Sequence, residues 1–210
     1  MLPRTFLRCF APLPLVFIAG AATALEPFSY PSTLLDAPAT LAEPPASFLR
    51  IGKPKIELGQ TTLKEAADFT GATRLREGKG LFARDYMCLT GTENRRAVIA
   101  WVIASGTQTV SEAQLEWLKP GEPSPSYCKA VPVNRLPFRL GKVGLGMTKT
   151  LVLEVMGKPS YETADGWSYW FSQRWLRNER NLQELELNWL GLQFEDGRVK
   201  RAFNSLVKNP

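Results

Sequence analysis

The sequence predicts an α+β fold of two tandem repeats, each with a short helix region packed on one face of an antiparallel β-sheet. The first observation is a duplication: residues 145–160 resemble residues 58–72, and two glycines bracket the segment in both copies. Self-similarity at a fixed distance indicates a repeat architecture. The second observation is that strand-like patterns follow each copy. Because such short helices are unstable alone, their apolar sides must pack on those strands.

Each copy carries the start and stop signals of a short helix. Thr148 and Thr62 can cap the free amides at the helix starts, and Thr62 with Glu65 has the spacing of a capping box. Gly157 and Gly71 follow the last apolar residues and predict the helix ends. We therefore expect one helix of about nine residues in each repeat.

The second copy continues into an aromatic strand pattern and a Glu-Asp-Gly turn. Its recurrent features are Gly146-Met147-Thr148, Gly157-Lys158-Pro159, Trp167–Phe171 and Leu190–Val199. Together they resemble the BamE (SmpA/OmlA) family, and two such units in tandem resemble the β-lactamase inhibitory protein (BLIP) fold. This resemblance implies helices on one face of an antiparallel sheet and recognition of a protein partner by a sheet face. The first copy lacks the proline after Gly71 and the Glu-Asp-Gly turn.

Residues 1–24 have the pattern of a cleaved signal peptide. Two arginines precede a mostly apolar run over residues 10–22, and Ala22-Thr23-Ala24 has the small-x-small pattern of a cleavage site. The alternative is a membrane anchor, which needs about 18 or more continuous apolar residues. Pro12 and Pro14 interrupt the run here. We expect cleavage after Ala24.

The mature chain is expected to be periplasmic or secreted, without a transmembrane anchor. The BamE-like lipoproteins carry their lipid on a cysteine directly behind the apolar core, whereas Cys9 lies ahead of the core and Leu25 becomes the N-terminus. Without residues 1–24 the chain has 24 basic and 20 acidic residues. This mild excess does not indicate nucleic-acid binding. It is compatible with an anionic envelope surface.

Proline-rich stretches divide the remaining chain. We expect an extended leader over 25–50, a first repeat over 51–119, a linker over 120–136 and a second repeat over 137–210. Near the end of the first repeat, residues 113–117 alternate between apolar and polar, which favours a strand. A helix beginning at Ser111 stays the alternative.

Cys88 and Cys128 are the only cysteines left after signal cleavage. An oxidising compartment favours a disulfide between them, which would join the first repeat to the linker. The alternative is a pair of buried free thiols.

The chain has no histidine, which excludes Ser-His-Asp catalysis, Cys-His catalysis and imidazole-based metal sites. We expect no cofactor, no metal and no catalytic residue. Glu184 and Glu186 would share one strand face, as in a carboxylate-dependent hydrolase. A solvated strand face is the favoured interpretation of this pair.

Aromatic residues supply the candidate binding surface. Leu190, Leu192 and Phe194 match recurrent apolar positions of the BamE family, and this resemblance implies that they face the helix. Alternation then leaves Leu187 and Trp189 on the opposite face. The same reasoning assigns Trp167, Tyr169 and Phe171 to the core side. The predicted partner-binding residues on the open side are Trp101, Trp170, Leu187 and Trp189. Alternatively, these rings fill the seam between the repeats or lie under the leader.

Arg174, Arg177 and Arg180 form a second candidate site, in an apparent insertion between strands. If the insertion is helical, they make one basic stripe for anionic lipid, glycan or an acidic partner. A solvated loop is the alternative.

The leading function is a non-catalytic exported protein-binding module, either inhibitor-like or accessory to envelope protein assembly. Anionic lipid or glycan binding is the second hypothesis, and hydrolysis is a distant third.

Overall fold

The computed structural model describes residues 25–29, 40–80, 83–105, 108–177 and 181–209. The predicted signal peptide lies outside these ranges. The strands are β1 (Phe48–Ile51), β2 (Lys55–Glu57), β3 (Leu75–Glu77), β4 (Arg84–Glu93), β5 (Arg96–Ser105), β6 (Glu112–Trp117), β7 (Lys129–Ala130), β8 (Phe138–Leu140), β9 (Tyr161–Glu162), β10 (Trp167–Arg177), β11 (Gln183–Glu195) and β12 (Arg198–Asn209). The helices are α1 (Leu63–Thr70) and α2 (Lys149–Met156), with a 3-10 turn at Val133–Arg135.

One nine-stranded sheet runs through both halves of the chain. Its order is β3-β4-β5-β6-β12-β11-β10-β9, and β7 adds to β4 in parallel. The final strands of the two halves pair at the centre, where Leu115 of β6 lies opposite Ala202 of β12. A meander of four strands on one side therefore mirrors a meander of four strands on the other.

Both predicted helices form, and their ends are where the sequence signals are. Thr62 caps α1 in a complete capping box with Glu65, and Gly71 ends it in the left-handed conformation at φ 71°. Thr148 caps α2, and Gly157 follows it. The helices differ in packing, because α1 buries four residues whereas α2 buries only Val152.

The expected α+β class is wrong: the fold is rich in β-structure, with strands over 49% of the described residues. A second sheet, of order β2-β1-β8, helps to cover the large sheet. Its buried residues join the main core, namely Leu49, Ile51, Ile56, Phe138 and Leu140. These strands have three or four residues each and lie in proline-rich sequence, where short runs give no clear strand period.

The segment near residue 113 is a strand, as favoured, and not a helix. β6 pairs with β5 on one side and β12 on the other, so it is a central strand.

The segment with Arg174 and Arg177 is also a strand. The β10–β11 pairing continues from Trp167↔Gln193 to Arg177↔Gln183, which rules out the helical insertion for these two arginines.

The disulfide between Cys88 and Cys128 is present, with their Cα atoms 4.8 Å apart. It joins β4 to the residue just before β7, so the linker is held against the sheet edge.

Within the described ranges, no helix is long and apolar enough to cross a membrane.

Candidate functional site

The side of the large sheet opposite the helices, called here the open face, carries two apolar clusters. The first cluster lies over β4 and β5 and consists of Tyr86, Cys88, Ile99, Trp101, Ile103, Leu118 and Cys128. The second cluster lies over β10, β11 and β12 and consists of Phe28, Trp167, Tyr169, Phe171, Trp189 and Phe203. Large rings therefore lie on both sides of the central β6–β12 pair.

The second cluster is built from ring contacts between neighbouring strands. Phe171 and Trp189 are direct partners, and their ring centroids are 3.9 Å apart. Phe203 lies beside Gly191, where any side chain would lack room, because a Cβ there would come within 2.2 Å of the Phe203 ring. Glycine at 191 thus lets the Phe203 ring cross β11 and reach Trp167 and Tyr169.

A polar strip separates the two clusters. It consists of Glu112, Gln114 and Glu116, which alternate along β6 and so share the open face. Arg201 of β12 pairs with Glu116 at 3.2 Å, and the indole nitrogen of Trp101 donates to the same carboxylate at 3.4 Å. Burial raises the pKa of Glu116, and the charge of Arg201 partly offsets this rise.

The first residues of the leader, Leu25–Ser29, lie across the open face. The Gln114 side-chain amide donates to the Phe28 carbonyl at 3.0 Å, and the Tyr127 hydroxyl donates to the Leu25 carbonyl. Leu25 packs against the first cluster, and Phe28 belongs to the second. The leader therefore bridges the two clusters across the polar strip.

Phe28 is held by two different kinds of contact. Its ring lies 5.9 Å from that of Trp167, and the Arg201 guanidinium lies 5.4 Å from the ring centroid. A guanidinium near an aromatic face is attracted to the ring. Arg201 thus links Glu116 to the leader, and the open face holds residues 25–29 by side-chain and main-chain contacts together.

The raised pKa of Glu116 leads to a testable pH dependence. A carboxyl whose pKa is raised by folding binds its proton more tightly in the folded state than in the unfolded state. Its contribution to stability therefore falls as the pH rises above 4.5, the ordinary pKa of the group. In Glu116→Gln this dependence is absent. We expect the stability of the variant relative to the wild type to increase between pH 4.5 and neutral pH, measured by urea unfolding. A difference that is constant or decreases with pH contradicts the assignment.

The predicted binding residues occupy different environments. Trp101 is 0% exposed and Trp189 is 8% exposed, and both lie on the open face. Leu187 packs partly buried beside Trp189. For Trp101 the structure agrees with the alternative that the ring lies under the leader. It is buried in the first cluster, and Leu25 packs against that cluster.

The placement of Trp170 on the open side is wrong. Trp170 is fully buried in the main core on the helix side, where its partner is Leu190. Its indole donates to the Gly157 carbonyl at 3.2 Å. The placement of Trp167, Tyr169 and Phe171 on the core side is wrong for the same reason. Alternation fixes only which residues share a face, and the pairing of β10 with β11 then decides which face that is.

The predicted basic stripe does not form. Arg174 lies on the helix side and pairs at 2.6 Å with Glu186, which is buried. Arg177 is three residues further along β10 and so points to the opposite face, where it contacts Asn181 at 2.9 Å. Arg180 lies outside the described residues. No observation here favours anionic lipid or glycan binding through this segment.

The two carboxylates considered for hydrolysis share a face, as expected, but that face is not fully solvated. Glu186 is buried between Arg174 and Lys208, whose amine lies 3.7 Å from the carboxylate. Among the described residues, no three potential ligand side chains are grouped so that they could hold a metal ion.

No protein-family model, curated protein or solved structure matches this chain. The resemblance to the BamE family and to the BLIP fold therefore rests on the sequence features alone and stays a prediction. The geometry of the open face is the main guide to function.

The contacts of Phe28, Gln114, Tyr127 and Arg201 were not predicted from the sequence. Gln114 had a detectable signal, because a polar residue in the middle of a central strand must find a buried partner. No sequence signal marked Phe28, because a single aromatic residue in a proline-rich segment has no hydrophobic periodicity around it. Only the fold brings the leader to the sheet.

Proposed function

We propose that this chain is a non-catalytic exported binding protein that holds an extended apolar segment of another envelope protein across its open face. The observation that carries the proposal is the leader itself, which occupies this face through Leu25 and Phe28. Export is inferred from the signal-peptide pattern, and a disulfide is in keeping with an oxidising compartment. The resemblance to the BamE family and the BLIP fold implies the same class of function.

The contacts to the leader are of a kind that a foreign segment can reproduce. Gln114 and Tyr127 donate to two main-chain carbonyls three residues apart, and such contacts do not depend on the side chains of the bound segment. Specificity would come from the two apolar clusters, which contact the side chains of Leu25 and Phe28. We therefore expect a ligand of the form Leu-x-x-Phe in an extended conformation.

The leader competes with any such ligand. Because residues 25–29 belong to the same chain as the face, their effective concentration there is high, on the order of millimolar. The apparent dissociation constant of a free ligand is the intrinsic constant divided by the fraction of molecules whose face is free. Weakening the leader should therefore strengthen binding of a free segment.

This competition gives a direct test. A labelled peptide with the sequence of residues 25–29 is titrated into the full-length chain and into Phe28→Ala, and binding is followed by fluorescence polarisation. Phe28→Ala removes the ring that contacts Trp167 and Arg201. A loss of 1.4 kcal/mol in leader docking corresponds to about tenfold in affinity. We expect Phe28→Ala to bind the peptide at least about tenfold more tightly than the wild type.

The controls separate specific binding from exposure of apolar surface. A peptide with serine at the Phe28 position should bind neither protein. Adding Gln114→Ala to Phe28→Ala should weaken peptide binding, because the donor to the Phe28 carbonyl is lost. Equal peptide binding by the wild type and Phe28→Ala, or equal binding of the serine peptide, contradicts the proposal.

A further inference from the structure

Among the described residues, none bonds to the backbone groups on the outer edge of β10 over its last residues. Along this edge, the carbonyls of Trp167, Tyr169 and Phe171 accept from the amides of Thr163, Ser160 and Leu41. These odd-numbered residues thus direct their backbone groups away from β11. By the same alternation, Gln173, Trp175 and Arg177 direct theirs outward. In the described part of the chain, no backbone hydrogen bond reaches these groups from outside the β10–β11 pair.

The matching edge in the first half is covered by the fold. Trp101 and Trp189 lie on corresponding strands of the two meanders, β5 and β11, and their partners are Cys88 and Phe171. The residues after Cys88, Leu89 and Thr90, pair with β7. The corresponding residues of β10 are those after Phe171, and among the described residues no strand pairs with them on that side. The open edge is therefore specific to the second half.

The side chains at this edge also differ from those of a protected edge strand. Trp175 is 62% exposed, in the middle of the free segment. Arg174 is neutralised by Glu186 and does not guard the edge with a free charge. Exposed backbone groups next to an exposed tryptophan are typical of a site for strand addition.

We propose that this edge pairs with the same edge of a second copy, in an antiparallel arrangement about a two-fold axis at Trp175. In that register Trp175 faces its own copy, Gln173 faces Arg177, and Arg174 faces Leu176. All three outward-facing residues of each copy are used, which gives about six backbone hydrogen bonds. Registers centred on Arg174 or Arg177 would set two arginines against each other and are disfavoured.

The self-complementary sequence of the edge is what points to a second copy. An isologous two-fold contact uses the same surface on both partners, and this segment meets that condition without a like-charge pair. The interface is one strand wide, so the dimer is expected to be weak and concentration-dependent.

Opposite charges at position 175 test the two-fold register. Sedimentation equilibrium of the full chain over roughly 10 µM to 1 mM should show reversible dimers. Trp175→Lys and Trp175→Glu each place like charges at the axis and should weaken self-association at least about tenfold. An equimolar mixture of the two variants should associate again as a heterodimer. The same substitutions at Val133, which is 78% exposed and distant from β10 in sequence, are matched controls and should leave the dimer unchanged.

A second variant tests the backbone pairing. Gln173→Pro removes an outward N–H without touching the bonds to β11, so it should abolish the dimer while Gln173→Ala retains it. Far-UV circular dichroism checks that each variant is folded. A monomeric wild type throughout the concentration range overturns the proposal, as does a dimer that survives in Gln173→Pro. Failure of the Lys and Glu variants to associate when mixed overturns the two-fold register at Trp175.

Discussion

Replacing Trp101 with alanine is expected to lower the free energy of unfolding by about 3–5 kcal/mol. The Trp101 side chain is completely buried, contacts the Tyr86 ring at 5.8 Å and donates to the buried carboxylate of Glu116. The substitution leaves a large cavity and removes one partner of that carboxylate. Urea unfolding followed by circular dichroism measures the loss.

The matched control for this variant is Trp175→Ala. Trp175 is mostly exposed, so its truncation should change stability by less than about 0.5 kcal/mol. The pair also distinguishes a core role of Trp101 from a role in partner contact, because an interface residue can be truncated without unfolding the protein. If the urea midpoint of Trp101→Ala is close to that of the wild type, Trp101 is a residue of the binding surface and not of the core.

Removing the disulfide is expected to cost about 4 kcal/mol in the chain-entropy model. Cys88 and Cys128 are 40 residues apart, so the bond closes a long loop in the unfolded chain. The Cys88→Ala, Cys128→Ala double variant should unfold at a lower urea concentration than the wild type. Reduction of the wild type with a thiol reagent should lower its midpoint in the same way.

The outcome of reduction separates two origins of the effect. If the bond acts by constraining the chain, the reduced wild type and the double variant should have similar stability. If only the double variant is destabilised, lost packing of the sulfur atoms explains the result instead. Two free thiols in the unfolded, unreduced mature protein would contradict the bond itself.

The open face illustrates how far pattern reasoning reaches. Alternation correctly grouped Trp189 with Leu187, and correctly separated both from Leu190. It misplaced Trp170, because a strand in which both faces are apolar gives no signal of which side is inward. Trp170 and Phe171 are both buried, one on each side of β10.

Local signals determined the short elements of this protein. The helix starts at Thr62 and Thr148 and the helix ends at Gly71 and Gly157 follow from neighbouring residues alone, because caps act within one turn. The cysteine count was likewise enough to predict the disulfide. These features depend on contacts close in sequence or on residue type.

Only the tertiary structure decided what covers each face of the large sheet. Proline-rich segments supply β1 and β8 to the helix side and Leu25–Ser29 to the open side, and their contacts join residues about a hundred positions apart, as between Gln114 and Phe28 or Tyr127 and Leu25. Short segments without a period cannot reveal such contacts, since the chain between them leaves the pairing open. The buried state of Trp101 and the free edge at Trp175 follow from that arrangement.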